Sequence, residues 1–186
     1  MMNRLFPILV SAILFSNCHN DSKPTPNRMS VSEQQTILEA LGSHMHPSIT
    51  DLTEAKRVPA NHFLLASYYP LTQAETKAME LATKQQDSFA TDLADGIHCT
   101  LTRVELRNEK NEEVNLMDTV QNPLYLQRFG LWDYDHKLCQ NVGITIQTKE
   151  FFSKLKGSVQ LKLQIDQGPE KLIDIPIEIS INDTLK

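Results

Sequence analysis

From Ile173 to Ile181, isoleucine occupies every second position, and Asp174, Pro176, Glu178 and Ser180 fill the gaps. Side chains alternate across a strand, so this spacing puts five isoleucines on one face and the polar residues on the other. A helix would scatter the same five around its circumference. The segment is therefore a half-buried strand of an antiparallel sheet, and the fold must supply a second apolar layer against those isoleucines. Pro176 has no N–H to give to a ladder, which puts the strand at a sheet edge or places a bulge there.

Two more segments share the period. Val159, Leu161, Leu163 and Ile165 alternate with Gln160, Lys162 and Gln164, and Val142, Ile144 and Ile146 alternate further upstream. "IHCTLTRVEL" from Ile97 reads as another strand, "RNEKNEE" as a polar turn, and "EVNL" as a candidate return partner. Residues 117–140 show no clean period, with a helical turn suggested at "PLYLQRF".

Before Ile97 the pattern is helical. Ser30 with Glu33 makes a capping box ahead of Gln34, Ile37, Leu38 and Leu41. Thr72 with Glu75 makes a second, opening a helix expected to run to about Leu93. "HFLLASYY", residues 62–69, is too short for periodicity to choose between strand and helix. The expected fold class is α+β, with a mainly helical part over 31–94 and an antiparallel β-sandwich-like part over 95–186. Aromatic residues are only 6% of the chain, so the core must rest on aliphatic side chains.

The N-terminus has a different logic. Arg4 gives a charged start, and Leu5 to Phe15 are apolar apart from Ser11. About 11 apolar residues fall well short of the ~20 that a membrane-spanning helix needs. A charged start, a short apolar run and small residues at its end make a secretory signal peptide over 1–17. Ser16 and Asn17 lead into Cys18, and this junction resembles the lipobox of bacterial lipoproteins in a relaxed form. Asn17 and Phe15 stand where the common form has Gly or Ala and Leu. The resemblance implies cleavage before Cys18 and a lipidated cysteine carrying diacylglycerol. More than one acyl chain makes a stable membrane anchor. His19 stands where inner-membrane retention in that family takes Asp, which favours the outer membrane. Residues 18–30 are polar with Pro24 and Pro26, and read as an extended tether reaching up to ~40 Å from the lipid surface.

Candidate chemistry is sparse. Export would put Cys99 and Cys139 in an oxidising compartment, where an even pair suggests a disulfide. Closing that loop would stabilise by roughly 4 kcal/mol on the chain-entropy view. His44 and His46, with Met45 between them and His62 beyond, form the most metal-like group, of a kind that suits copper or zinc. They lie in a proline-containing loop, where a solvated surface is the simpler reading. Asp133, Asp135 and His136 cluster near Trp132, but a calcium loop needs a further acid and a glycine. The expected arrangement is a polar turn with Trp132 and Leu138 tucked beneath it. Phe151 and Phe152 cannot both face inward from a regular strand: one alternative buries one and leaves the other to cover a sheet edge or join a contact patch, and the expected arrangement is a corner holding both between sheet and helix. No Gly-x-Ser-x-Gly or glycine-rich phosphate loop occurs.

Formal charge is −5, and removing residues 1–17 takes away Arg4 and no acid, leaving −6. An acidic chain without a concentrated basic face is a poor nucleic-acid binder. The sequence therefore points to a membrane-anchored envelope lipoprotein acting without catalysis or cofactor, as a protein-binding or scaffolding module of an envelope or secretion assembly. The last strand is its expected docking edge. The alternative is a periplasmic binder of a small ligand or of copper or zinc through His44, His46 and His62.

Overall fold

In a computed structural model of the chain, residues 29–49, 60–86, 93–117 and 124–181 are described. The expected signal segment, Cys18 and the expected tether up to residue 28 lie outside the described residues. The element order is α1 (Val31–His44), β1 (His46–Ser48), β2 (Ala60–Pro70), α2 (Gln73–Gln85), a 3-10 turn (Ala94–Gly96), then β3 (Ile97–Asn108), β4 (Leu124–Tyr125), β5 (Gln127–Tyr134), β6 (Lys137–Phe152), β7 (Lys154–Ile165) and β8 (Glu170–Ser180).

The strands form two four-stranded sheets, both wholly antiparallel. Sheet A runs β1-β2-β6-β5 and sheet B runs β4-β3-β7-β8. The fold is α+β, with two sheets stacked as a sandwich around one core. Ile173, Ile175, Ile177 and Ile179 of β8 all face inward, level with Leu161, Val159, Gly157 and Leu155 of β7. Sheet A answers with Phe63 and Leu65 beside Ile146 and Ile144. β8 is an edge strand, as Pro176 requires.

Both capping boxes form. Ser30 Oγ accepts from Glu33 N–H, and Thr72 Oγ1 accepts from Glu75 N–H. Each cap leaves its helix started at the residue the sequence names. α1 turns Ile37, Leu38 and Leu41 into the shared core and packs on β2, β7 and β8. Glu39 of α1 pairs with Lys171 of β8, and Leu41 carbonyl accepts from buried Ser67 Oγ at 2.8 Å. The helix and β1, which lies alongside β8, close that flank of the sandwich. The opposite flank is crossed by the chain itself, which passes from sheet B to sheet A between β4 and β5 through buried Leu126.

Several expectations need correction. Residues 62–69, left open between strand and helix by the sequence, are a strand, and β2 sits inside sheet A between β1 and β6. Residues 31–94 hold both helices and also give β1 and β2 to sheet A, so β2 and α1 share the core of the β part. α2 stops at Gln85: Gln86 takes a left-handed conformation and its N–H bonds back to Ala82 and Thr83 carbonyls, which ends the helix well before Leu93. Within 117–140, the stretch expected to be irregular holds β4, β5 and the start of β6 instead. "EVNL" returns only as isolated bridges, Arg107 to Glu113 and Leu116 to Thr148. Phe152 is fully buried while Phe151 is 60% exposed, so no corner encloses both.

Candidate functional site

The two outer faces of the sandwich differ in chemistry. On sheet B, β3, β7 and β8 turn charged side chains outward, and these pair with one another: Arg103 with Asp174, Lys156 with Glu178, Lys162 with Glu170. These are exposed ion pairs on a solvated face, each worth little. An open cleft of about 490 Å³ on this sheet is lined by Glu105, Arg107, Lys156 and neighbours, with no hydroxyl, thiol or imidazole among its lining residues.

Sheet A is the opposite. Register fixes which residues share its outer face. β2 and β6 pair without irregularity from His62 to Pro70, so Leu64, Ala66 and Tyr68 lie level with Thr145, Gly143 and Asn141. On β5, Gly130, Trp132 and Tyr134 lie opposite Asn141, Cys139 and Lys137. Apart from Lys137 at the hairpin end, none of these strand positions carries a formal charge.

Aromatic rings concentrate here. Tyr68 is stacked between two rings, with centroids 3.9 Å from His44 and 4.1 Å from Tyr134, both nearly parallel. Tyr134 donates its hydroxyl proton to Asn141 Oδ1 at 3.0 Å, tying the stack to β6. Trp132 is 62% exposed and Phe129 48% exposed. Gly143 explains the place of Phe129: a Cβ there would lie 2.8 Å from the Phe129 ring and 2.8 Å from Leu64, so the bare glycine is the seat for both side chains. In a chain with 6% aromatic residues, one sheet face gathers Tyr68, Phe129, Trp132 and Tyr134.

Trp132 is thus not tucked under the β5–β6 turn, contrary to expectation. That turn is a tight hairpin in which Asp135 and His136 both have positive φ, at 51° and 62°. Two central residues of this kind match a type I′ turn, whose twist suits a hairpin. Asp133 Oδ1 accepts from His136 N–H at 3.0 Å, so this acid caps the turn.

The cysteine pair also needs correction. Cys99 and Cys139 are free thiols. Cys99 belongs to the core between the sheets. Cys139 is in step with Asn141 and Gly143 on β6, on the face opposite Val142 and Ile144, so sheet A itself separates the two sulfurs. Burial pushes the Cys99 thiol up to about 12. Cys139 is raised too, first by burial and then by the charge of Asp133.

His44, His46 and His62 do not converge. His44 is spent on its stack with Tyr68, with Nδ1 3.4 Å from Tyr68 carbonyl. His46 Nδ1 lies 2.9 Å from His44 carbonyl, and His62 Nδ1 lies 3.3 Å from Asn61 Oδ1. Among the described residues, no group of three or more His, Cys, Asp and Glu is placed to hold a metal ion. None of the described helices is long and apolar enough to cross a membrane.

Fold and face together define a helix-plugged antiparallel β-sandwich with one outer surface covered by ion pairs and the other aromatic and sparsely charged. No family model, no curated protein and no solved structure matches the chain.

Proposed function

We propose that this chain is a lipid-anchored envelope protein whose sandwich binds a protein partner without catalysis, through the outer face of sheet A. The observation that carries the reading is the contrast between the two outer faces. Sheet B is covered by charged groups that neutralise one another, which favours water. Sheet A presents exposed Trp132 and Phe129 beside stacked tyrosines, with amide and hydroxyl groups around them and charge confined to Lys137 and Lys149 near the two ends of β6. Aromatic enrichment with loss of charge is the composition of interface centres. The anchor follows from the lipobox resemblance at Cys18, and the polar tether would hold the sandwich clear of the lipid.

The expected docking edge moves as a consequence. α1 and β1 both lie against β8, and Glu39 pairs with Lys171 there. The isoleucine strand is a wall of the core more than an open edge.

A photo-cross-linking residue at Trp132, in the full chain in its native membrane, tests the surface. The expected result is a discrete adduct of a different protein at Trp132, distinct in mass from a dimer of the chain, and none when the same residue replaces Lys162 on sheet B. Equal adducts at both positions, or none at Trp132, would overturn the reading. The anchor is tested separately by intact mass: a chain beginning at Cys18 and carrying a diacylglyceryl group supports it, and an unmodified chain cut elsewhere removes it.

A further inference from the structure

β5 is the end strand of sheet A, and β6 is the element it chiefly packs against. The other strand ends of the sandwich are short or flanked: β1 has 3 residues, β4 has 2, and β8 runs beside β1 and α1. β5 has 8 residues, six of them exposed. A long edge with Phe129 and Trp132 on it invites another strand.

We propose that this occupant is a second copy of the chain, paired through β5 in antiparallel sense about a two-fold axis at Leu131. The inference concerns the edge of sheet A and stands apart from the partner proposed for its face.

The sequence of β5 is Gln127-Arg-Phe-Gly-Leu-Trp-Asp-Tyr134. Folded back on itself, it sets arginine against aspartate and phenylalanine against tryptophan. In a regular strand this match would fail. Arg128 and Asp133 are separated by an odd number of positions, so they would point to opposite faces, and directly paired residues must share one.

The bulge in β5 removes that conflict. Arg128 lies opposite Val142, while Gly130 lies opposite Asn141, so one extra residue enters between them. Gly130 has φ +129° and open space around it, as a bulge glycine needs. After the bulge, Asp133 lies opposite Leu138. Arg128 and Asp133 therefore share the inner face of β5, and Phe129 shares the outer face with Trp132.

A two-fold axis through Leu131 now satisfies the whole strand. Asp133 faces Arg128 of the second copy, Trp132 faces its Phe129–Gly130 bulge, and Tyr134 faces its Gln127. Each contact occurs twice, as an isologous interface demands. Arg128 already holds Asp95, with Nη2 3.6 Å from Oδ2, and a guanidinium has five N–H donors to share between carboxylates. Such an axis runs normal to the sheet, so both aromatic faces end on the same side of one eight-stranded sheet. Two anchored copies in one membrane also meet at raised effective concentration.

The test uses the full chain in its native membrane. Leu131→Cys lies on the axis, so mild oxidation is expected to give a covalent dimer above the wild-type background. Adding Asp133→Arg sets arginine against arginine and is expected to cut cross-linking about tenfold, and adding Arg128→Asp to that variant restores it. Sedimentation of the detergent-solubilised chain, with wild type against Asp133→Arg, gives a readout that needs no new cysteine. The expected result is a dimer for wild type and dissociation for the variant. A monomeric wild type, a dimer indifferent to Asp133→Arg, or equal cross-linking from Leu172→Cys on β8 would each overturn the proposal.

Discussion

Replacing Gly157 with alanine tests the backbone of β7 with the smallest possible side chain. Glycine inside a strand ordinarily costs roughly 0.5–1 kcal/mol relative to alanine, so the routine expectation is a gain in stability. The structure reverses the sign. Gly157 has φ +143°, and a Cβ built on it would lie 1.8 Å from the Glu105 carbonyl oxygen and 2.9 Å from its carbon. That obstacle is backbone on the paired strand, and it cannot rotate away. Contacts under 3.0 Å are essentially never seen, so β3 and β7 must separate locally or β7 must leave its conformation. Separation breaks about two ladder hydrogen bonds, each worth roughly 0.5–1.5 kcal/mol net. Holding alanine at this φ costs of order 1–3 kcal/mol. The combined loss is about 2–6 kcal/mol. Gly157 is exposed, so no buried apolar area changes and the effect is purely one of backbone. Equilibrium urea unfolding reads it directly. With a slope of about 2 kcal/mol per molar, the midpoint falls by roughly 1–3 M, while Ser158→Ala next door moves it little. A midpoint for Gly157→Ala equal to or above wild type refutes the reasoning.

Three further outcomes follow from the same structure. Ile175→Ala, at a side chain 2% exposed in the core, lowers stability by about 2–5 kcal/mol, whereas Leu172→Ala, 57% exposed on the other face of β8, stays within about 0.5 kcal/mol in the same assay. The thiols of Cys99 and Cys139 resist a thiol-specific reagent at pH 8 in the folded protein and both react after unfolding without reductant; one reductant-dependent pair would restore the disulfide. Glu109 is held below its ordinary 4.5 by its own backbone N–H, then by those of Ser153 and Lys154 at the β6–β7 corner. A depressed carboxyl adds stability above its unfolded value and loses it as pH falls through the folded one. Glu109→Gln therefore weakens the protein at pH 7, and its deficit shrinks below about pH 4.5; a constant deficit across that range would remove the charge from the explanation.

The strands that could be read from sequence are those whose alternation runs unbroken. β7 and β8 keep one inward parity from end to end, and β6 keeps its own from Val142 to Thr148. The helix starts were legible because a capping box is a local object, complete within four residues. β2 was not, because a central strand paired on both sides buries Phe63, Leu64 and Leu65 in succession, and that run looks the same in a helix. The place of β2 between β1 and β6 was beyond reach, since it joins residues about 80 positions apart. The end of α2 at Gln86 had no glycine to announce it. The aromatic face was hidden for the same long-range reason: His44, Tyr68 and Tyr134 come from α1, β2 and β5, and register alone stacks them.

β5 shows how one inserted residue can hide a strand and give it a use. From Gln127 to Tyr134 the chain has no clean period because the Phe129–Gly130 bulge resets the alternation midway. Read as a line of letters, the segment looks irregular, and Trp132 looks like a residue to be buried beneath a turn. Read against β6, the same bulge delivers Arg128 and Asp133 to one face, Phe129 and Trp132 to the other, and bends an edge that would otherwise be flat. An edge shielded only against indiscriminate pairing needs a charge or a proline, and either would serve in any order. Opposite charges and two large rings, symmetric about Leu131 once the bulge is counted, go beyond shielding. They favour one partner strand over all others, and the strand they fit is their own.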